Sequence, residues 1–551
     1  MPREGEITEA DIAGAERLMG LAYTARERVQ MVGNLDGQIG SAVARRGLEL
    51  DNSVPTALRF DPRLPGFEMP RDEGCIVPLP EVPVPEAEAD IAFATLPQLA
   101  GWIGSGALTS RRLTEIYLAR IERLNPHLFC FVTVMTDSAL SEADAMDALI
   151  AAGHWLGPLH GIPYGLKDLF DTKGTVTGWG AEPYRDRVPE GDARIVTLLR
   201  EAGAVLLGKT ALGALAYSDT WYGGRCRNPW NTEEGSGGSS AGSASATAAG
   251  LCAFSIGTET LGSIVSPSQR CGTTGLRPTF GRVSRAGAMA LCWSLDKVGP
   301  ICRGVDDTAL VLDAINGADP ADRCSIAAPF AYDAEAPIEG LRLGYLPEAF
   351  GEGATEIDRA ALEAARGLGV EVVEVSLPEL PYGSLMNALY AEAAAAFEHI
   401  TLSGLDDTLS WQDDGAWPNT FRKARFLSAV DHVQLDRLRY LVMQALDGLF
   451  GEVDALIGPY MTGPMLVASN FTGHPCLHLR AGFDSLGTRG MSSLGKGKMT
   501  AAQPDASGPV HRVPQGISLW GRLFEEGTIL SLGRALEARL GVAAERPELP
   551  A

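Results

Sequence analysis

Leu113, Ile116, Tyr117, Ile121 and Leu124 recur at intervals of three and four and predict an amphipathic helix that stops at Asn125-Pro126. Upstream, residues 1–90 read as a separate extension. A helical pattern covers 7–46, and 52–85 is proline-rich and irregular. Downstream, helix and strand signals alternate. A helical stretch at 193–201 precedes Gly203-Ala204-Val205-Leu206-Leu207-Gly208, an apolar strand bounded by glycines. An Ala- and Ser-rich segment at 240–250 leads into a short buried strand at 252–256. Then come a strand at 341–346, a helix at 356–368, a strand at 370–375 and a mostly helical region at 385–450. Strands at 454–458, 477–481 and 515–520 and a helix at 525–540 complete the pattern, with the Gly- and Ser-rich stretch 484–512 expected as a loop. Such alternation predicts an α/β fold around a largely buried, mixed or parallel sheet.

Charge narrows the partners. The 551 residues carry 69 acidic against 46 basic side chains, a net charge of −23. That disfavours a nucleic-acid or anionic-membrane surface. No apolar run reaches the ~18–20 residues of a membrane span. The N-terminus lacks the basic and apolar regions of a signal peptide, so a cytoplasmic protein is expected. Nine cysteines form no CxxC, which leaves zinc ribbons, redox motifs and a disulfide framework without support. His474 and His478 have the spacing of a helical metal pair, but Pro475 between them opposes a helix. No metal and no cofactor is expected.

Candidate chemistry sits in two serine-bearing runs and one lysine. Gly235-Ser236-Gly237-Gly238-Ser239-Ser240-Ala241-Gly242-Ser243 has the composition of a flexible linker, yet patterned segments crowd both sides. It fails as a phosphate loop because no Gly-Lys-Ser/Thr follows its glycines. Gly238-Ser239-Ser240-Ala241-Gly242 matches a G-x-S-x-G nucleophile elbow with Ser240 as nucleophile, although the preceding segment is turn-like and no downstream histidine has an obvious catalytic context, His511 being the best placed. Lys167, in Gly161-Ile162-Pro163-Tyr164-Gly165-Leu166-Lys167-Asp168, offers a base for a serine. An unperturbed lysine would do so at a penalty of about 4–5 kcal/mol at neutral pH, which burial among Ile162, Pro163 and Leu166 would reduce. The plainer alternative is a surface lysine paired with Asp168 or Asp171.

Those runs, with Gly257-Thr258-Glu259-Thr260-Leu261-Gly262-Ser263-Ile264, Cys271-Gly272-Thr273-Thr274-Gly275-Leu276-Arg277-Pro278, Asn470-Phe471-Thr472-Gly473-His474-Pro475 and Pro514-Gln515-Gly516-Ile517, occur in order across residues 95–540. This stretch closely resembles the amidase signature family of serine hydrolases. The resemblance implies a large mixed β-sheet flanked by α-helices, as a domain over 91–545 with the N-terminal extension before it. It implies that Ser263 is the acyl-forming nucleophile, Ser239 a bridging serine on a cis peptide and Lys167 the terminal base. The backbone N–H groups of Thr260, Leu261, Gly262 and Ser263 would form the oxyanion hole, with Ser240 and Thr258 as supporting hydroxyls. Three departures stand in one loop, where the family usually has Asp-Thr-Gly-Gly-Ser-Ile-Arg. Glu259 replaces the aspartate and Val265 the arginine, so Glu259 needs another partner, and Leu261 brings a side chain beside the oxyanion hole.

The activity implied is hydrolysis of a C–N acyl bond of an amide, anilide or carbamate, with esters also open, through a covalent acyl-serine. The expected partners are a small-molecule substrate with no nucleic acid and no membrane, and a homodimer stays open. One alternative is the glutamine-hydrolysing subunit of a tRNA-dependent amidotransferase, which releases ammonia for a partner. Another is a non-catalytic amidase-like scaffold. In the family, pocket walls come largely from a region corresponding to 385–450, where Tyr390, Phe397, Trp411, Trp417 and Phe421 are pocket candidates, though most of these suit core packing.

Overall fold

The computed structural model describes residues 6–490, 504–505 and 507–549. Two helices, α1 (Glu9–Met19) and α2 (Ala25–Arg46), replace the single helical stretch read at 7–46. Gly20 in the left-handed region (φ 68°) stops α1, and Thr24 and Glu27 form a capping box that starts α2. The proline-rich stretch after them holds only the short strand Gly74–Ile76.

An eleven-stranded mixed sheet organises the rest. In chain order its strands are β1 (Phe131–Val134), β2 (Pro163–Lys167), β3 (Val205–Thr210), β4 (Phe254–Glu259), β5 (Thr274–Arg277) and β6 (Lys297–Cys302). They continue as β7 (Arg342–Tyr345), β8 (Glu371–Glu374), β9 (Ala455–Pro459), β10 (Cys476–Gly487) and β11 (Val510–Gly521). Across the sheet the order is β8-β7-β9-β11-β10-β5-β6-β4-β2-β3-β1. The pairs β2–β3 and β2–β4 are parallel, while β4–β6 is antiparallel. The central strands β2, β3, β4 and β6 are buried along their whole length. β3 and β4 correspond to the apolar runs expected at 203–208 and 252–256, while the sequence pattern does not mark β2 and β6, which carry Lys167 and Lys297, as strands.

Two boundaries depart from the sequence pattern. The helix Ser110–Leu128 runs through Pro126, because Leu124 and Leu128 are both buried and anchor its last turn. Asn125 then ends it by accepting the N–H groups of Cys130 (2.9 Å) and Phe131 (2.8 Å). The second departure is at 484–512, where β10 and β11 pair as far as Gly487↔Val510 and so take both ends of the expected loop. Arg489 and Pro504 still bridge beyond that point, and residues 491–503 lie outside the described ones.

Candidate active site

Parallel β2 and β4 lie side by side, with Leu166 opposite Ile256, so Lys167 and Thr258 emerge together at their carboxyl ends. Binding sites in open α/β sheets collect at such ends. Ser239 and Ser240 come next to them on the turn that enters the helix Ala241–Ala248, after a cis peptide between Gly238 and Ser239. Ser263 stands on the turn between β4 and the helix Val265–Cys271, and its carbonyl accepts the N–H of Ser240 (3.2 Å). One backbone hydrogen bond thus ties the two serine-bearing turns to each other.

Lys167 is fully buried, and neither acid proposed as a surface partner holds it. Asp168 faces Lys209 at 3.6 Å, and Asp171 takes Arg187 at 2.7 and 2.9 Å. Lys167 Nζ instead lies 2.8 Å from Ser239 Oγ, 2.9 Å from Ser240 Oγ, 2.9 Å from Thr258 Oγ1 and 3.3 Å from the Thr258 carbonyl. Burial among uncharged groups lowers its pKa to about 7, with the charges of Asp296 and Glu259 pulling the other way. Such a lysine exchanges a proton near neutrality.

Ser240 has no freedom to act as an exposed elbow nucleophile. It is fully buried, donates to the Thr258 carbonyl (3.1 Å) and accepts the Thr258 N–H (3.2 Å). Ser239 and Ser263, by contrast, both line a cavity of about 60 Å³ together with Thr260 and Leu261. Gly262 holds φ 84° in the turn between them, a conformation that favours glycine. Among the described residues, the N–H groups of Thr260, Leu261, Gly262 and Ser263 have no protein acceptor, and four free donors on one turn suit a developing oxyanion.

Glu259 finds its partner in Arg277 on β5, two strands away. Arg277 Nη1 donates to Glu259 Oε1 at 2.6 Å, Asn470 Nδ2 adds a bond of 3.0 Å, and Oε2 accepts the N–H groups of Ile264 (2.9 Å) and Val265 (3.0 Å). Burial alone would raise this carboxyl, but the charge and hydrogen bond of Arg277 with the two backbone donors bring it down to about 2. Glu259 therefore caps the helix that follows Ser263 and fixes the turn from below.

Of the five aromatic candidates only Trp417 lines the cavity that Ser239 and Ser263 share. Phe397 and Phe421 are core, Tyr390 packs on the core, and Trp411 leans on Tyr217 at 5.0 Å between ring centres. Tyr217, Leu291 and Leu389 line the cavity without having been singled out in the sequence, since isolated apolar residues carry no spacing signal. Asp296 was also missed. It immediately precedes β6, and its one visible mark is an Asp-Lys pair at the entry to that strand. His474 and His478 are buried and bonded to Thr472 (2.7 Å) and Ser518 (2.9 Å), and burial lowers both to about 3. Among the described residues no group of His, Cys, Asp and Glu is arranged to hold a metal, and no helix is long and apolar enough to cross a membrane.

A family model described as Amidase matches residues 112–530. The chain belongs to the amidase family. It is 36% identical over 463 residues to a protein of Geobacter metallireducens named as a subunit of glutamyl-tRNA(Gln) amidotransferase, covering 78% of this chain and 94% of that one. Among solved structures, the native peptide amidase of Stenotrophomonas maltophilia is 29% identical with a TM-score of 0.69, covering 83% of this chain and 99% of the other. The structure of a glutamyl-tRNA(Gln) amidotransferase subunit from Thermotoga maritima, at 23% identity and a TM-score of 0.65, shares the fold; the match covers 85% of this chain and 100% of that one. The relatives named as glutamyl-tRNA(Gln) amidotransferase subunits overturn the expectation of a small-molecule substrate with no nucleic acid among the partners, because that name is the name of a component of an enzyme acting on a charged tRNA. Overall acidity does not report on such a partner, since a large assembly can present its basic surface from another of its chains.

Proposed function

We propose that this amidase cleaves a carboxamide C–N bond through an acyl-enzyme on Ser263, and that it serves in the cytoplasm as the glutamine-hydrolysing subunit of a tRNA-dependent amidotransferase. The observation that carries the chemistry is the buried Lys167, poised near neutrality 2.8 Å from Ser239, with Ser239 and Ser263 on one cavity. Ser240 has committed its proton to the Thr258 carbonyl, so towards Lys167 it acts as an acceptor. The lysine lone pair is thereby left for the hydroxyl of Ser239. Neutral Lys167 takes the Ser239 proton as Ser239 takes that of Ser263, and the Ser263 oxygen bonds to the carboxamide carbon. The carbonyl oxygen gains the negative charge against the N–H groups of residues 260–263. When the tetrahedral species collapses, the C–N bond breaks and the proton returns through Ser239 to the departing nitrogen, releasing ammonia. Water then repeats the sequence on the acyl-serine and frees the acid.

Support for the finer assignment is the run of relatives bearing that amidotransferase name, which match the chain across nearly their whole length. Nine free cysteines suit a reducing compartment. The test is ammonia release from glutamine by the purified chain, alone and with amidotransferase partner subunits and tRNA. Stimulation by the partners supports the assignment, and absence of glutamine hydrolysis in either condition contradicts it. The apolar side chains of Leu261, Leu291, Leu389 and Trp417 around the cavity favour a second reading, a self-sufficient hydrolase of peptide carboxamides. In that case the lone chain would deamidate a peptide amide and ignore the partner subunits.

A further inference from the structure

The N-terminal extension reaches the catalytic turn through an unbroken set of hydrogen bonds. Asp51, Asn52, Ser53, Pro55 and Thr56 lie outside the family-matched stretch of 112–530 and form one wall of a second cavity, of about 310 Å³. Ala216, Thr260 and Leu291 line both this cavity and the catalytic one, so the two adjoin. Asn52, half-buried, clasps Ala290 from both sides. Its Nδ2 donates to the Ala290 carbonyl and its Oδ1 accepts the Ala290 N–H, each at 2.8 Å, while Nδ2 also reaches the Ala396 carbonyl at 3.3 Å.

The Ala290 carbonyl and the Leu291 N–H belong to one planar, rigid peptide unit. On its far edge that N–H donates to Asp296 Oδ2 at 2.8 Å, and the Cys292 N–H joins it at 3.0 Å. The other oxygen of Asp296 accepts Thr260 Oγ1 at 2.6 Å. Thr260 opens the turn that presents the free N–H groups and ends at Ser263. Asp296 is half-buried at the wall of the second cavity, with each oxygen engaged by a protein donor, and hydrogen bonds partly screened from water polarise and stiffen one another.

We propose that Asn52 and Asp296 are positioning residues that clamp opposite edges of the Ala290–Leu291 peptide and so hold Thr260, and with it the oxyanion-binding turn, in its working geometry. The extension is then part of the catalytic apparatus of this chain and not an appendage. This inference rests on the reading of Ser263 as nucleophile, and the experiment separates the two.

The rate of labelling by a fluorophosphonate probe reports on nucleophile and oxyanion turn without requiring the substrate to be known. The full-length chain would be labelled as wild type, Ser263→Ala, Asn52→Ala, Asp296→Asn, the double variant Asn52→Ala/Asp296→Asn, Thr260→Val and Thr260→Ser. Loss of a correctly placed oxyanion donor costs about 10²–10³ in rate. Asp296→Asn should therefore slow the maximal labelling rate by about 100-fold, and Asn52→Ala, one step further out, by about tenfold. The probe concentration for half-maximal rate should stay within about twofold. Thr260→Val should fall with Asp296→Asn, and Thr260→Ser, which keeps the hydroxyl, should recover most of the rate. The double variant should lose no more than Asp296→Asn alone, because members of one relay are not additive. If Asp296→Asn does not fold, Asn52→Ala combined with Thr260→Val supplies the same comparison. Additive losses, or wild-type rates for Asn52→Ala, overturn the proposal while leaving Ser263 in place. Labelling that persists in Ser263→Ala overturns the underlying reading instead.

Discussion

Arg277 donates to Glu259 at 2.6 Å in a pair from which water is wholly excluded, and it spans three adjacent strands in doing so. The pair answers the departures at Glu259 and Val265 in the Ser263 loop together. Where the family pattern carries an aspartate with an arginine six residues on, this chain reaches with the longer glutamate to an arginine on β5, and Val265 is left free to pack. Removing one member of a buried pair strands the other charge, at a cost of about 3–5 kcal/mol. Arg277→Met should lower the unfolding midpoint accordingly. Because Glu259 also caps the turn after Ser263, activity should fall below what the residual folded fraction explains. Thermal unfolding monitored beside activity measures both.

Lys167→Ala and Ser239→Ala should each reduce kcat by about 10²–10⁴-fold, since each removes a proton carrier in the proposed relay. Thr258→Val deletes one hydrogen bond to the lysine and should cost only roughly tenfold. Steady-state rates with folding checked by circular dichroism decide this, and equal losses for Thr258→Val and Lys167→Ala would contradict the ranking.

The pH profile follows from burial of Lys167. Its pKa stands near 7 instead of 10.5, so the neutral amine accumulates as pH rises through about 7. The kcat/KM profile should show an acid limb with a midpoint close to 7. Between about 7 and 10.5 the folded chain binds fewer protons at this site than the unfolded chain does, so its stability rises with pH there. Lys167→Met should stabilise the protein most below pH 7 and progressively less toward 10.5. Unfolding curves of the two proteins across that range provide the measurement.

Much of this was legible in the chain. Strands β3, β4 and β9 announce themselves through short apolar runs between turn residues, because burial on both faces favours apolar side chains. Even so, β3 and β4 end on the buried polar residues Lys209, Thr210, Thr258 and Glu259. The amidase motifs brought Lys167, Ser239 and Ser263 to attention, and the structure sets Lys167 against Ser239, with Ser239 and Ser263 on one cavity. What escaped depended on pairing between distant segments. Glu259 and Arg277 become neighbours only through the β4-β6-β5 order, which no local spacing encodes. Pro126 looked like a stop because its own turn disfavours it, yet burial of Leu128 outweighs that cost. The hairpin β10–β11 extends past its expected ends because its tips, at 484–487 and 510–512, have lost the apolar alternation that marks its base. Nor did the net charge foretell relatives named for a tRNA enzyme, since charge describes one chain and not an assembly.

The central claim is that Ser263 carries the acyl group. Intact wild-type protein treated with a fluorophosphonate, digested and sequenced by mass spectrometry should gain one adduct, on the peptide containing Ser263, and Ser263→Ala should gain none. An adduct on Ser240 or Ser239, or an unmodified Ser263 in fully active enzyme, would contradict the account.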